Sequence, residues 1–235
     1  ASVMAIVGSL RLDDVRPTTA ERVARRTSLR EEVLGARSLF GAVGVPFTLV
    51  ITFVVAFSQA SYNAFFPLIL ESAGYSAAVI GLALGLRALV SMVLRPLLPV
   101  VMRIFGTKRR ALKTMLLLIV VTTVTLAWTQ AWVVVVTVTI LMGVWWGLAP
   151  PLSIVMMVEF AEASRRGFAI GVRLMTNRAG QLIGPIAMGS IADLASLRGG
   201  FIGLGTFVAA VFLLIVRRSA PADASHGVSD DANAS

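Results

Sequence analysis

Arg87 and Arg178 lie deep inside apolar stretches of this chain, where charged side chains are rare. Arg95 and Arg173 lie in the same two stretches, closer to their ends. A charged group near the centre of a bilayer costs at least about 2.5 kcal/mol, so intramembrane arginines normally face a bundle interior or a watery cavity. Each arginine therefore indicates one of two roles: an internal tie to a carbonyl or an acid, or contact with an anion.

Helical spacing gathers further polar side chains near these arginines. When successive residues are set 100° apart, the polar residues around Arg173 share an arc of about 140°, and the opposite arc is apolar. The polar face consists of Arg173, Asn177, Arg178 and Gln181. In the first apolar stretch, Gln59 and Asn63 are four residues apart and share a face. All of these are candidates for lining a cavity.

Composition excludes most enzyme chemistries. Of 235 residues, 57% are hydrophobic and only 14% charged, against roughly 25% charged in a soluble domain. The chain has no Cys, and its one His, His226, lies in a polar tail. No carboxylate occupies the centre of an apolar stretch, and no Walker-type phosphate loop is present. We therefore expect no catalytic residue, no metal and no cofactor.

Six apolar stretches are long enough to cross a bilayer as helices, which takes about 20 residues. They cover about residues 42–65, 77–101, 112–129, 132–157, 168–191 and 200–216. The linkers between them are short and leave no room for a soluble domain. The sequence predicts an all-α, polytopic membrane protein whose six-helix bundle occupies residues 41–216.

Charge in the linkers predicts the orientation, because short cytoplasmic loops are rich in Lys and Arg. Basic residues follow the second, fourth and sixth stretches, within residues 103–113, 165–166 and 217–218. Both termini are therefore expected in the cytoplasm. The net charge of +9 is then a topological feature. We expect the lipid bilayer, and not nucleic acid, as the partner.

The two ends of the chain differ from the bundle. Residues 1–10 are apolar but only half a bilayer long, as if they end an earlier span, so we expect a longer parent protein. Residues 11–37 hold many charges, and they form either a helix along a membrane surface or a solvated linker. Residues 217–235 are expected to be a disordered cytoplasmic tail.

Small residues recur four apart within the apolar stretches, a spacing that lets helix backbones approach closely. Such pairs include Gly143 with Gly147, and Gly180 with Gly184. Prolines that remove helix hydrogen bonds occur at Pro150 and Pro151 and at Pro185. These positions are candidates for helix packing or for gating.

The loop after the second stretch resembles the G-x-x-x-D-R-x-G-R-R loop of the major facilitator superfamily. The loop reads Pro99-Val100-Val101-Met102-Arg103-Ile104-Phe105-Gly106-Thr107-Lys108-Arg109-Arg110. The matching residues are Gly106, Lys108, Arg109 and Arg110. Pro99 replaces the first Gly of the pattern and Arg103 replaces its Asp, which leaves the family's cytoplasmic latch in doubt here.

A second region is similar to the tenth and eleventh helices of bacterial facilitator-type permeases. It comprises residues 165–171, 177–185 and 189–193. With residues 147–150, the resemblance extends over about residues 40–216. It implies that the chain is the C-terminal six-helix half of such a permease, with residues 1–40 as the end of helix six and the central cytoplasmic linker.

The resemblance also implies a function and a site. Members of this family are secondary transporters that move small solutes by alternating access between two six-helix halves, here in a bacterial-type inner membrane. The first and fourth helices of each half line the cavity, which points to Gln59, Asn63, Trp145 and Trp146. Arg87 and Arg178 belong to the neighbouring helices. For the two tryptophans, interior packing or an interfacial position is the alternative.

A non-transporting membrane receptor or scaffold on the same bundle is the rival interpretation. A polar sector that faces a cavity favours transport, because a scaffold gains nothing from an arginine at mid-bilayer. A membrane enzyme is disfavoured because the catalytic side chains are missing.

Overall fold

A computed structural model describes residues 44–161 and 165–223, with side chains described up to residue 217. Within these residues the secondary structure is seven α-helices without any strand, which confirms the predicted all-α fold class. The helices are α1 (Gly44–Ser72), α2 (Ala77–Leu94), α3 (Leu98–Phe105), α4 (Lys108–Trp128), α5 (Trp132–Phe160), α6 (Arg166–Leu194) and α7 (Leu197–Asp223). The predictions for residues 1–40 and 224–235 lie outside the described residues.

Five of these helices are long and apolar enough to cross a membrane: α1, α2, α4, α5 and the part of α7 up to Arg217. Helices are the natural form for such segments, because backbone groups in hydrocarbon must find their hydrogen-bond partners within the segment. Helix α6 has 29 residues and is long enough, but its polar residues make it too hydrophilic to be identified by composition. The sixth crossing therefore stays a prediction.

The second predicted stretch, 77–101, is not one helix. Helix α2 ends at Leu94, residues 95–97 form a turn, and the short helix α3 follows. Pro96 and Pro99 explain the break, because proline lacks the amide hydrogen that a continuing helix needs and its ring clashes with the preceding turn. Helix α3 in turn ends at Gly106, whose φ of 67° is in the region that glycine adopts without strain.

Other helices extend beyond their predicted ends. Helix α1 continues to Ser72, past the predicted end at residue 65, and it accommodates Pro67. Helix α7 continues to Asp223, past the predicted end of its apolar stretch at residue 216. In α7, apolar run length underestimates the helix because its last turns carry polar residues, and those turns need no hydrocarbon around them.

The helices pack mainly in three pairs: α1 on α6, α2 on α5, and α4 on α7; α5 also packs on α4 and α1. Glycines mark two of these crossings. A methyl group added at Gly184 of α6 would lie 2.5 Å from the carbonyl oxygen of Phe57 in α1. One added at Gly147 of α5 would lie 2.8 Å from the carbonyl oxygen of Ser91 in α2. The helix backbones are therefore in direct contact at both crossings.

Gly180 and Gly143 repeat this arrangement one turn away in the same helices. An added methyl group would lie 2.7 Å from the carbonyl oxygen of Phe53 at Gly180, and 2.6 Å from the side chain of Val90 at Gly143. Each crossing thus has two glycines on one helix face, since residues four apart lie one above the other.

The centre of the core is Tyr62, which is fully buried. Its ring lies 5.5 Å from that of Phe201 and 5.9 Å from that of Trp145. Its hydroxyl donates to Thr123 Oγ1 at 2.9 Å and lies 3.4 Å from Thr122 Oγ1. Tyr62 therefore joins α1 to α4, α5 and α7 with both an apolar ring and a satisfied polar group.

Candidate functional site

A polar groove of about 570 Å³ lies among α1, α5 and α6, within the size range of small-molecule sites. Its walls consist of Gln59, Ala60, Asn63, Ala64, Trp146 and Gln181. Four of these residues lie on α1, whereas Trp146 of α5 and Gln181 of α6 come from helices far away in the chain. The α1 residues share one face because they repeat at intervals of three and four.

Arg87 lies directly behind this groove and contacts two of its wall residues. Its Nη2 donates to Asn63 Oδ1 at 3.2 Å. Its guanidinium carbon lies 4.1 Å from the centre of the Trp146 ring, well within the distance for a cation–π contact. Its Nη1 is buried and has no hydrogen-bond partner. The guanidinium is thus held in a fixed plane with one donor group left over.

The polar residues of α6 form a chain of hydrogen bonds along that helix. Arg178 Nη1 donates to Gln181 Oε1 at 3.1 Å, and Gln181 Nε2 donates to Asn177 Oδ1 at 2.8 Å. Of the three, Gln181 lines the groove, whereas Arg178 is exposed beside it. The structure therefore brings Gln59, Asn63, Trp146 and Gln181 together, with Arg87, Arg178 and Asn177 in contact with them.

Trp145 does not belong to this group. Its side chain is 0% exposed and packs between the rings of Tyr62 and Trp146. The structure therefore places Trp145 in the interior, which the sequence analysis gave as the alternative to lining the cavity. Adjacent residues on a helix point about 100° apart, so Trp146 reaches the groove while Trp145 enters the core.

Arg173 joins α6 to α5 through hydrogen bonds inside the bundle. It is buried, with its Nη2 2.7 Å from Ser153 Oγ and 3.0 Å from the carbonyl oxygen of Pro150 in α5. Its Nε also donates to Ser153 Oγ, at 3.2 Å. Nε and Nη2 of Arg173 thus both have partners in α5, whereas Nη1 of Arg87 has none. Arg95, at the end of α2, is exposed.

Pro150 and Pro151 lie inside α5 and Pro185 lies inside α6, each within a continuous helix. Arg173 donates to the carbonyl oxygen of Pro150, so α6 contacts α5 at the prolines of α5. Pro185 directly follows Gly184, at the closest approach of α6 to α1. Pro150 and Pro185 therefore each lie at a contact with a neighbouring helix.

The basic loop residues lie at the start of α4. Lys108 Nζ forms an ion pair with Glu159 at the end of α5, and the guanidinium of Arg109 lies 5.3 Å from the Phe47 ring near the start of α1. The backbone amide of Arg110 donates to the Thr107 side chain, which caps the helix. These contacts gather three helix ends at one end of the bundle, and the sequence analysis did not anticipate Glu159 among them.

Two further features bear on what the groove can hold. Among the described residues, no group of His, Cys, Asp and Glu side chains is arranged to hold a metal ion. A second cavity, of about 290 Å³, lies between α1, α6 and α7, but its walls are almost entirely apolar. Of these two cavities, the larger groove is therefore the one whose polar side chains are suited to recognising a solute.

Comparison with known protein families gives a match to this chain. The family model of the Major Facilitator Superfamily matches residues 48–234, which covers most of the chain and includes all six residues of the groove. No curated protein sequence matches the chain.

Proposed function

The chain belongs to the Major Facilitator Superfamily, and from this we propose that it forms the C-terminal half of a secondary transporter that moves a small solute by alternating access. The family consists of multi-pass membrane transporters and is generally non-enzymatic. The polar groove among α1, α5 and α6 is the solute pathway. The polar and aromatic residues that the solute meets are Gln59, Asn63, Trp146 and Gln181, with Arg87 in contact with Asn63 and Trp146.

The observation that carries this proposal is the depth of the groove. Ala60, in its wall, is 16 residues from the start of α1 and 12 from its end, or about 24 Å and 18 Å along the helix. A polar groove at that depth costs free energy in a membrane protein, and intramembrane polar residues usually mark a substrate pathway. A bundle that only holds a partner at its surface needs no such groove.

The second half of the transporter covers the groove. Apolar side chains are also exposed on α2 and on α6, among them Met92 (76% exposed) and Met175 (75% exposed). Surfaces of this kind are buried either by lipid or by other helices in a bilayer. An N-terminal six-helix half supplies those helices.

The protein lies in a bacterial-type inner membrane, and both termini of this chain face the cytoplasm.

Accessibility of a single cysteine tests alternating access without knowledge of the solute. The chain contains no Cys, so Ala60→Cys introduces the one thiol of this half. We expect a membrane-impermeant maleimide to label Ala60→Cys both in right-side-out and in inverted vesicles, because the groove opens to each side in turn. Ala149→Cys, at a fully buried position, is the control that should add no labelling, and the unsubstituted full-length protein gives the background to be subtracted.

The same experiment separates the transporter from a receptor or scaffold. A static bundle exposes a groove residue to one compartment at most. Labelling of Ala60→Cys from one side alone, in protein that is folded and inserted, would therefore refute alternating access.

A further inference from the structure

We propose that the groove recognises a carboxylate or similar oxyanion on its solute, and that Arg87 is the residue that binds it. This inference rests on the proposed function, because it names the solute class for the same groove. It follows from the hydrogen-bonding inventory of the groove, from the way Arg87 is held, and from the distribution of charge.

The inventory leaves donors without acceptors. The side-chain oxygens of Asn63, Gln181 and Asn177 each already accept a hydrogen bond. In contrast, Arg87 Nη1 and Gln59 Nε2 are buried donors without any partner. An unpartnered buried donor is costly and usually has a functional explanation. A solute that brings acceptor oxygens completes this set, whereas an ammonium group, which carries donors only, does not.

Asn63 occupies the hydrogen-bonding position on Arg87 that we assign to the solute. Its amide oxygen makes a single hydrogen bond to Arg87 Nη2, and its side chain is exposed to the groove. A rotation of Asn63 frees Nη2 beside the already unpartnered Nη1. Two parallel N–H groups of one guanidinium are the geometry that binds a carboxylate in a bidentate manner. Trp146 keeps the guanidinium plane in position by stacking on it.

The charge around the groove favours an anion. Arg87 and Arg178 both lie at or beside it, and the carboxylates among the described side chains are remote. Counted along their helices, Glu71 is 8 residues from Asn63, Asp193 is 12 from Gln181 and Glu159 is 13 from Trp146. At 1.5 Å per residue these separations are about 12, 18 and 20 Å. Within the described chain, the arginines therefore have no carboxylate of their own in the groove.

Calorimetric titration of the full-length protein in lipid nanodiscs tests the proposal with probes that differ only in their head group. The two probe series are benzoate, benzamide and benzylamine, and glutarate, glutaramide and pentane-1,5-diamine. We expect at least one carboxylate to bind about tenfold more tightly than its amide, with the amine weakest, since a charge-assisted pair replaces a neutral hydrogen bond.

Three substitutions assign the binding to Arg87. Arg87→Met should lower carboxylate affinity about tenfold or more, to that of the amide. Asn63→Asp places a permanent carboxylate beside Arg87 and should abolish carboxylate binding, whereas Asn63→Ala removes the placeholder and should preserve or tighten it. Arg95→Met removes an exposed arginine from the turn directly after α2 and should leave the affinity unchanged. Asn63→Asp and Asn63→Ala keep the test valid if Arg87→Met does not fold.

The proposal is overturned if carboxylates bind no more tightly than their amides, if neither carboxylate binds at millimolar concentration, or if Asn63→Asp leaves their binding intact. Its failure is distinct from that of transport. Two-sided labelling of Ala60→Cys without carboxylate preference removes only the anion assignment. One-sided labelling with Arg87-dependent carboxylate binding removes transport and leaves an anion site.

Discussion

Gly184→Ala is the substitution for which the structure predicts the largest effect from one added methyl group. Gly184 lies where α6 meets α1, and its added methyl carbon would be 2.5 Å from the carbonyl oxygen of Phe57 and 2.9 Å from Ser61 Oγ. The nearest obstacle is backbone, which cannot rotate away as a side chain can. The two helices must therefore separate.

The size of the effect follows from that distance. Ordinary van der Waals contact begins at 3.4 Å, so the helices must move apart locally by about 1 Å. Overpacking of this kind costs about 1–3 kcal/mol. Alanine also favours a helix over glycine by up to about 1 kcal/mol, which opposes the loss. Gly171→Ala, on the same helix with open space around it, gains the helical term alone and is the matched control.

Thermal unfolding in detergent, followed by loss of monodisperse protein on size-exclusion chromatography, measures the difference. Because helix propensity and unfolded-state entropy are common to both variants, Gly184→Ala should unfold below Gly171→Ala by on the order of 5 °C. Equal midpoints, or a higher midpoint for Gly184→Ala, would show that α1 and α6 do not pack at backbone contact.

Two further predictions concern the buried hydrogen bonds of Arg173 and Tyr62. Arg173→Met should destabilise the bundle by removing its hydrogen bonds to α5, and an unfolding double-mutant cycle with Ser153→Ala should give a coupling of about 0.6–2 kcal/mol; zero coupling would contradict the tie. Tyr62→Phe should cost about 0.5–1.5 kcal/mol, because the hydroxyl of Thr123 still donates to the carbonyl oxygen of Ile119 and no donor is orphaned. Tyr62→Leu should lower the stability more than Tyr62→Phe, since it also removes the contacts with the rings of Trp145 and Phe201. Equal thermal unfolding midpoints for the two variants would argue against these aromatic contacts.

The elements of this fold were predictable because a bilayer makes local demands on a chain. Run length and apolar composition identified α1, α2, α4, α5 and α7, since each segment must satisfy its own backbone hydrogen bonds. The boundaries were less predictable. Proline at positions 96 and 99 divides α2 from α3, and α1 and α7 both continue beyond their predicted ends.

The candidate residues were predictable as polar groups at unusual depth, but their roles were not. Helical spacing placed Gln59 beside Asn63, and Arg173 on the same face of α6 as Gln181. It could not separate Arg173, whose Nε and Nη2 donate to α5, from Arg87, whose Nη1 is buried without a partner. That difference depends on the partner helix and not on the residue's own spacing.

By itself, the sequence determined which segments are helical, which faces of them are polar and where the charges accumulate, because all three depend on neighbours a few residues away. Tertiary structure alone decided which faces meet. It set Trp146 of α5 against Arg87 of α2, and it buried Trp145 next to Tyr62 of α1. A helix fixes the direction of a side chain only about its own axis. The rotation of each helix against the others is chosen by packing across the whole bundle, through contacts such as those of Gly147 and Gly184.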